Sequence, residues 1–490
     1  MGFKTGTDRA EALLFPPCID EYISADNAVR VIDAFVERLS LKELGLEERK
    51  DKKRNGANAY DPKALMKLYI YGYSNRIRSS REMEKATHRN LEVIWLMNDL
   101  RPDHWTINEF RKKHPEVLKH LFRDFHLICK GLGLIGGKLV VVDSAFFKGS
   151  VNRANIYTTE RLEKSLEKLN KSIDEHMSRL SAAENEDAAA ASAPRPAPAD
   201  IEAAMQDLKA KREALEELKK AAQASPTGQV SPVDPDSRLL RKGGEYVGGY
   251  QVQTAVDSKS HMIVAEHTMS GGTDSSELVP MAQRSQEALE SDALKVVADG
   301  GYYSEEGLEG CENLDGVEVH MPVKAERGTK KNLYSSERFE LNADKDVVIC
   351  PQGHELARHA DSRPKGDDRL YQVYYNTQAC ASCPVRARCT EGKYRKVHIS
   401  VRKPLVDTLK QRLKDQPEVY ARRAPTVEHP FGTMKFWMQG NALMTRGLKK
   451  VGGEISLTCL AYNLKRAIKM LGVAELVRYL QRTPQTAATS

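Results

Sequence analysis

The chain has 490 residues, of which 40% are hydrophobic and 29% are charged. This length allows about three domains of ordinary size, or one fold that carries large insertions. No stretch approaches the ~18 consecutive apolar residues of a membrane span, and the first residues contain no apolar run with a small-residue cleavage site. The composition therefore excludes a membrane-spanning protein and predicts a soluble protein of the cytoplasm.

The charge is unevenly distributed along the chain. The chain contains 75 Lys and Arg residues and 68 Asp and Glu residues, which gives a net charge of +7. Residues 393–470 hold 17 basic and 5 acidic residues, and residues 62–120 hold 12 basic and 7 acidic residues. These two basic regions flank a more acidic middle, so a polyanionic partner is expected at them rather than over the whole surface.

Residues 62–127 carry apolar residues at helical intervals and predict a small α-helical unit. Ser79 with Glu82, and Thr106 with Glu109, have the spacing of capping boxes. Such a unit could serve packing alone or could bind DNA, and its basic surplus favours DNA binding.

After residue 138 the pattern changes to short β-branched runs separated by turns, which is typical of strands. One helix is predicted among them, at about residues 275–290. The predicted strands are LVVVD (139–143), YQVQTAVD (250–257) and HMIVAEHT (261–268) as a hairpin, ALKVVAD (293–299) and VEVHMPV (317–323). A mixed α/β sheet follows from this order.

Residues 158–222 interrupt the strands with two apolar helical stripes, joined by the segment AAAASAPRPAPAD, which is flexible by composition. The pattern predicts an antiparallel helical hairpin that protrudes from the core. A surface insertion without chemistry is the preferred interpretation, and dimer contacts or DNA clamping remain alternatives.

Three acidic residues are candidates for catalysis. Asp143 and Asp299 each end a predicted strand, where a side chain leaves the core. Glu428 lies at the start of a predicted helix that has Pro430 in its first turn and Lys435 two turns later. An acid after a strand can also merely cap a turn, as Asp257 would, and Glu at a helix start is favoured by the helix dipole. Three carboxylates brought together would hold two Mg²⁺ ions for phosphodiester chemistry.

Four segments resemble the DDE-type transposases of bacterial insertion sequences, most closely the insertion sequence 1182 family. They are LVVVDSAFFKGSVNR around Asp143, DPDSRLLRKGGEYVGGYQVQTAVD (234–257), VVADGGYYS around Asp299, and VEHPFGTMKFWMQGNALMTRGLKKVGGEISLTCLAYNLKRAI (427–468). The helical segment YDPKALMKLYIYGY (60–73) is also similar to the amino-terminal domain of that family. The resemblance covers nearly the whole chain apart from the hairpin insertion.

The resemblance implies an RNase H-like fold in which Asp143, Asp299 and Glu428 hold two Mg²⁺ or Mn²⁺ ions, cut the transposon ends and join them to target DNA. With the chain pattern, it predicts six regions. They are an N-terminal helical DNA-binding domain (1–130), the first part of the catalytic core (138–157 and 234–323), the hairpin insertion (158–233), a cysteine-rich insertion (324–424), core helices that carry the Glu (425–475) and a flexible tail (476–490).

The resemblance also implies residues that contact DNA. Lys435 matches the Lys seven residues after the Glu in the related Tyr-Arg-Glu-Lys signature, whereas Arg423 lies five rather than four residues before Glu428, with Arg422 as a rival. The position after Asp143, usually Gly, is Ser144. Further candidates for contacts to the DNA backbone are Lys148, Arg153, Arg446, Lys449 and Lys450, with a solvated turn as the alternative for the first two.

Four of the eight cysteines fall within residues 350–389, namely Cys350, Cys380, Cys383 and Cys389, and His354 is a fifth candidate ligand. Thiolates at such spacings suit a closed tetrahedral Zn²⁺ site that would stabilise a segment poor in apolar residues. Buried free thiols are the alternative. The predicted role of this region is structural or DNA-contacting, not catalytic.

The second basic region includes three aromatic residues, Phe436, Trp437 and Tyr462. Aromatic side chains beside cations can stack on unpaired bases, but at helical spacing they more often belong to a core. Both interpretations stay open from the sequence.

The resemblance, with these observations, implies a transposase that cleaves DNA at transposon ends and transfers the strands to target DNA. Its expected partner is double-stranded DNA, both terminal repeats and target, and because two ends must be brought together, a homodimer or a larger assembly is expected. Its expected location is the bacterial cytoplasm, at the nucleoid when bound to DNA. The alternative is a catalytically inactive or repurposed DNA-binding protein derived from a transposase.

Overall fold

The computed structural model describes residues 18–46, 59–185, 198–225, 227–242, 245–271, 273–323, 333–335, 338–342, 344–363 and 370–482. The chain divides into two compact units. Unit 1 comprises Met1–Gly136, Ser144–Gly272 and Thr426–Ser490, and unit 2 comprises Gly137–Asp143 and Thr273–Pro425.

The secondary structure mixes helices and strands in both units. The helices are α1 (Val29–Glu37), α2 (Pro62–Ser74), α3 (Ser80–Arg89), α4 (Leu91–Leu96), α5 (His104–Lys113), α6 (Pro115–Gly131), α7 (Thr159–Asn185), α8 (Pro198–Ala224), α9 (Leu278–Leu289), α10 (Glu305–Glu312), α11 (Thr377–Ala381), α12 (Arg386–Cys389), α13 (Lys403–Asp415), α14 (Pro417–Ala421), α15 (Arg423–Gly432), α16 (Leu448–Leu471) and α17 (Val473–Arg482). The strands are β1 (Leu139–Lys148), β2 (Tyr157–Thr158), β3 (Gln229–Val230), β4 (Arg238–Lys242), β5 (Glu245–Asp257), β6 (Ile263–Met269), β7 (Leu294–Val297), β8 (Val317–His320), β9 (Glu340–Asn342), β10 (Val347–Ile349), β11 (Glu355–Ser362), β12 (Tyr371–Tyr375) and β13 (Val397–Ser400).

In unit 1, the predicted helical region 62–127 forms helices α2 to α6, but the two predicted capping boxes are wrong. Ser79 precedes α3, yet within this fully described helix its side chain accepts no capping hydrogen bond. Helix α5 is capped instead by Asp103, whose carboxylate accepts from the Thr106 backbone N–H at 2.8 Å. Thr106 is therefore inside the helix, because an acidic acceptor three residues earlier already satisfies the first turn.

Helix α16 forms the centre of unit 1 and is buried continuously from Val451 to Leu464. Helices α2 and α6 pack against it. At Gly453 the approach is so close that a Cβ atom would lie 2.6 Å from the Pro115 carbonyl oxygen, so only glycine fits there. A helix that is apolar around most of its circumference belongs in a core, which explains the placement of α16.

A buried ion pair lies within this helical core. Arg78, in the turn before α3, donates from Nη2 to Glu454 Oε1 on α16 at 3.0 Å. The Glu454 carboxylate also accepts from the backbone N–H groups of Met444 and Thr445, at 3.0 and 2.9 Å. Glu454 is fully buried, so these donors replace the water that its charge would otherwise require.

The predicted hairpin in unit 1 is confirmed. Strands β5 and β6 pair antiparallel, from Gln251 opposite Met269 to Val256 opposite Ile263, and β4 pairs antiparallel with β5. The Asn463 side chain of α16 accepts from the Ile263 N–H at 2.9 Å and donates to the Ile263 carbonyl at 2.8 Å. The edge of the hairpin is thereby fastened to the central helix.

The DPDS segment before β4 holds the start of α16. Asp234 Oδ1 accepts from the Tyr250 hydroxyl at 2.6 Å and from the Gly447 N–H at 3.0 Å. Asp236 Oδ2 accepts from the Leu448 N–H, the first residue of α16, at 2.8 Å. These acids satisfy backbone donors that a helix start leaves open, which gives them a structural role.

The predicted helical pair in residues 158–222 is also confirmed, as α7 and α8. Leu162, Ile173 and Met205 are buried along it, and Lys219 pairs with Glu163 at 3.0 Å between the two helices. The predicted flexible linker lies largely outside the described residues.

Unit 2 contains a parallel arrangement of strands. Leu139–Val141 of β1 pair with Lys295–Val297 of β7, and β7 pairs in parallel with β8. Helices α9 and α10 flank these short strands along the chain. Strand β1 continues past Asp143, and its residues Ser144–Lys148 belong to unit 1. Within unit 1, Gln251 Nε2 donates to Ser144 Oγ at 3.2 Å.

A second sheet in unit 2 lies within residues 340–400, inside the range predicted as a cysteine-rich insertion. Its five strands are antiparallel in the order β13-β12-β11-β10-β9. A small core of Phe339, Val348, Leu356 and Tyr374 lies at its centre, with Cys350 and Cys389 packed against it.

Two predictions near the C-terminus are wrong. Helix α15 begins at Arg423, so Glu428 is its sixth residue, and Pro430 lies inside the helix rather than in its first turn. A π-helix, Thr433–Trp437, follows directly after α15. Residues 476–482 of the expected flexible tail belong to α17, where Leu476 and Leu480 are buried, and residues 483–490 lie outside the described part.

The chain is thus a mixed α/β protein, with antiparallel pairing of β4, β5 and β6 in unit 1 and parallel pairing of β7 and β8 in unit 2. In the described part of the chain, no helix combines the length and the apolarity that crossing a bilayer demands.

Candidate active site

Asp143 lies in the middle of strand β1, not at its end as predicted. Four buried residues, Leu139–Val142, precede it, and their apolar side chains fix this half of the strand. The Asp143 side chain is 22% exposed, which leaves its carboxylate within reach of solvent and ligands.

Asp299 follows strand β7 directly after Ala298 and is more exposed, at 39%. Its Oδ1 accepts from the Gly301 N–H at 2.7 Å and caps the short 3₁₀ turn Gly300–Tyr302. Asp299 therefore does cap a turn, which was one of the two roles that the sequence allowed. The cap uses only Oδ1, and Oδ2 contacts a different partner.

That partner is Arg423, which lies between the two aspartates within unit 2. Its Nη2 lies 3.4 Å from Asp143 Oδ2 and 3.3 Å from Asp299 Oδ2. The buried Nε of Arg423 has no hydrogen-bond partner among the described residues. One positive charge is thus shared by two carboxylates that come from positions 156 residues apart in the chain.

The Oδ2 atoms of Asp143 and Asp299 both lie near one cationic nitrogen, so together they form a binding site for positive charge. Hard divalent cations such as Mg²⁺ prefer this donor chemistry. The pair Asp143 and Asp299 therefore fits a divalent cation by its ligand type, with Arg423 as the present counter-charge. Among the described residues, no group of three or more His, Cys, Asp and Glu side chains is arranged to hold a metal ion.

Glu428 and Lys435 belong to unit 1. Glu428 is exposed on α15. Lys435 is 93% buried, since only 7% of its surface is exposed, and its Nζ lies 4.9 Å from the centre of the Phe147 ring. The sequence interval of seven residues places Glu428 and Lys435 on one face of a regular α-helix. Lys435, however, lies in the π-helix Thr433–Trp437, which has more residues per turn, so the interval no longer implies a shared face.

The other residues predicted to contact DNA lie in unit 1 and are exposed: Lys148, Arg153, Arg446, Lys449 and Lys450. Arg446 donates from Nε to the Ser150 carbonyl at 2.8 Å, and Lys449 lies 3.6 Å from Glu116. Lys148 pairs through its backbone with the segment around Ala442. Their predicted contacts to DNA stay predictions.

The four clustered cysteines line one cavity in unit 2, together with His354. The cavity has a volume of about 30 Å³. Burial raises the pKa of the Cys389 thiol, and the nearby Arg395 opposes that shift. The turn of CPQGH is closed by the Gly353 N–H, which donates to the Cys350 carbonyl at 2.8 Å. The predicted cysteines therefore meet in space, although no metal arrangement exists among the described residues.

The contact of Arg423 with both aspartates is the feature that sequence reasoning missed. Arg423 was expected to contact DNA, and its match to the family signature was off by one residue. No local pattern reveals a contact across 280 residues, the separation of Arg423 from Asp143.

Two family models match this chain. Residues 349–468 match a model described as a transposase DDE domain, and residues 17–113 match a model described as a transposase domain (DUF772). No curated protein matches the chain.

Among solved structures, the cryo-EM structure of a piggyBac transposase synaptic complex with hairpin DNA is similar to the chain. The identity is 11% and the TM-score is 0.26, over 94% of this chain and 83% of that chain. The two matches to family models support a DDE-type transposase.

Proposed function

We propose that this protein is a transposase that cleaves DNA at transposon ends and joins the freed ends to target DNA. Its catalytic residues are Asp143, Asp299 and Glu428, which belong to an RNase H-like core and would hold two Mg²⁺ or Mn²⁺ ions. The single observation that carries the proposal is the convergence of Asp143 and Asp299 on one positive charge. The matches to two transposase family models support the same reaction class.

The chemistry divides between the cation and the chain. A pair of divalent cations supplies charge stabilisation and an activated oxygen nucleophile at a phosphodiester. The residues of the chain orient the cations and the DNA. Exposed cations such as Arg446 and Lys450 would hold the phosphate backbone, which carries most of the affinity of such proteins for DNA.

A cleavage assay tests this proposal. Purified protein is incubated with DNA that carries the repeats flanking its own coding region, with Mg²⁺, Mn²⁺ or EDTA. We expect cuts at the repeat ends and joined products with Mg²⁺ or Mn²⁺, and none with EDTA. DNA binding without any cleavage under all these conditions would favour a repurposed DNA-binding protein.

Arg423 is proposed to compete with the cation. Its guanidinium pairs with both aspartates, so Arg423 would have to leave them before they could hold a divalent cation, and it could then contact a DNA phosphate. We expect Arg423→Gln to bind Mn²⁺ about three- to tenfold more tightly without DNA, in line with the modest energy of part-exposed ion pairs. Isothermal titration calorimetry measures this, with Arg422→Gln as the matched control. Weaker Mn²⁺ binding by Arg423→Gln would contradict competition.

A structural zinc ion is proposed at the four cysteines. They line a common cavity, and thiolates are the preferred ligands of closed zinc sites. We expect about one zinc per chain in metal analysis of protein purified without chelator, and we expect Cys383→Ser to lower that content and the melting temperature. Cys311→Ser is the control, since Cys311 is buried elsewhere in the same unit. Equal zinc content in the two variants would exclude a site at the four cysteines.

A further inference from the structure

Two large aromatic side chains stand out from the surface of unit 1, at the end of the π-helix. Phe436 is 74% exposed and Trp437 is 69% exposed. Exposed aromatic neighbours of this size forgo the stabilisation of burial and often mark an interaction site. π-Helical turns are themselves frequent at functional sites.

The segment beneath the aromatic pair is firmly anchored. Met434 and Met438 are almost fully buried on its inner side. The Met438 N–H donates to the Thr433 carbonyl at 2.9 Å, and the Gly440 N–H donates to the Met434 carbonyl at 2.8 Å. A Cβ at Gly440 would lie 2.5 Å from that same carbonyl oxygen. The aromatic pair is therefore presented by a fixed backbone.

Positive charge accompanies the aromatic surface. The Arg76 guanidinium lies over the Trp437 ring, with Cζ 5.4 Å from the ring centre. Arg76 has a φ of +66°, in the left-handed region that few L-residues adopt, so the surrounding structure holds it there. Partial burial lowers the pKa of Lys465, and the charge of Arg76 lowers it further, which identifies Lys465 as a neighbouring cation.

Tyr462, the third aromatic residue of this basic region, has a different role. It is 1% exposed, and its hydroxyl donates to the His261 carbonyl at 2.8 Å. Of the three aromatic residues that the sequence offered for stacking, Tyr462 belongs to the core and only Phe436 and Trp437 present their rings to solvent.

We propose that Trp437, with Phe436 beside it and Arg76 above it, is a stacking platform for an unpaired nucleotide of DNA. A flat π surface binds the face of a base, and the cations attract the adjacent phosphates. This combination of aromatic area and positive charge fits a nucleotide better than an uncharged apolar partner. The choice of DNA as the partner rests on the proposed function, but stacking requires neither cleavage nor a metal ion.

The test measures binding by the full chain in an Asp143→Asn background, in EDTA, by fluorescence anisotropy. One labelled duplex carries a single unpaired thymidine, and a second carries an abasic unit at that position. We expect the duplex with the base to bind about 10-fold more tightly, within the range for one stacked base. Trp437→Ala should remove this preference, whereas Trp437→Phe should keep most of it.

Trp105→Ala is the matched control, because Trp105 is 63% exposed on α5 in the same unit. It should keep the full preference for the unpaired base. Equal binding of the two duplexes by the parent chain, or an unchanged preference in Trp437→Ala, would overturn the proposal. A change of oligomeric mass in Trp437→Ala would also overturn it, since the patch would then be an interface between copies. A chain that cleaves no DNA but shows the preference would contradict the proposed function alone.

Discussion

Replacing Asp143 by Asn should lower metal-dependent DNA cleavage by at least about 1,000-fold, equivalent to about 4 kcal/mol of transition-state stabilisation. The amide has the shape of the carboxylate but lacks its charge, so with Asp299 it would hold a divalent cation much more weakly. Since Arg423 still has Asp299 as a partner at 3.3 Å, the local ion pairing is only partly lost. The fold should therefore survive while the reaction fails.

The measurement is the initial rate of cleavage of DNA that carries the terminal repeats, alongside a filter-binding assay. Asp299→Asn and Glu428→Gln should behave in the same way, with DNA affinity changed by less than about threefold. Asp292→Asn is the matched control, because Asp292 is an exposed acid shortly before β7 in the same unit. Retained cleavage in Asp143→Asn or Glu428→Gln would refute the assignment of that residue.

The strands around the acidic pair were predictable because their chemistry is local. The run LVVVD is largely β-branched and apolar, and it pairs as β1 with β7, in which Leu294, Val296 and Val297 are buried. The hairpin of β5 and β6 followed from two such runs separated by a short turn. In both places, burial and strand propensity favour the same structure, so a short stretch of sequence is enough to predict the strand.

The surroundings of Glu428 were not predictable in this way. Pro430 was expected in a first turn because a helix interior loses a hydrogen bond at proline. Instead, α15 starts seven residues before Pro430, and a π-helix follows. Packing of Val427 and Met434, both fully buried, offsets that lost bond. Such compensation depends on tertiary neighbours that no local pattern contains.

The N-terminal caps of α3 and α5 were also not predictable from residue spacing alone. Ser79 and Thr106 had the right spacing to a Glu, but Asp103 supplies the cap of α5. Asp103 accepts from the Thr106 N–H, whereas Thr106 as a cap would accept from the Glu109 N–H. The two caps thus specify different first turns, and spacing alone does not decide between them.

Replacing Glu454 by Gln should lower the free energy of unfolding by about 3–5 kcal/mol, the usual cost of breaking a buried ion pair from one side. Arg78 would keep its charge at 5% side-chain exposure with no carboxylate opposite it. The new amide group would also face the N–H groups of Met444 and Thr445, which need an acceptor. Urea denaturation measures the loss, with Glu475→Gln, an exposed acid on α17, as the control.

The pH dependence separates this charge effect from simple misfit. Burial alone would raise the pKa of Glu454, but Arg78 and Arg111 outweigh it and hold the pKa below the ordinary value of 4.5. A carboxyl with a lowered pKa stabilises the fold fully above its unfolded pKa, and this contribution is lost as the pH falls through the folded pKa. The stability difference between parent and Glu454→Gln should therefore be largest near neutral pH and should shrink below pH 4.5. A difference that stays constant on acidification would mean that packing of the side chain, rather than its charge, stabilises the contact of α16 with the turn before α3.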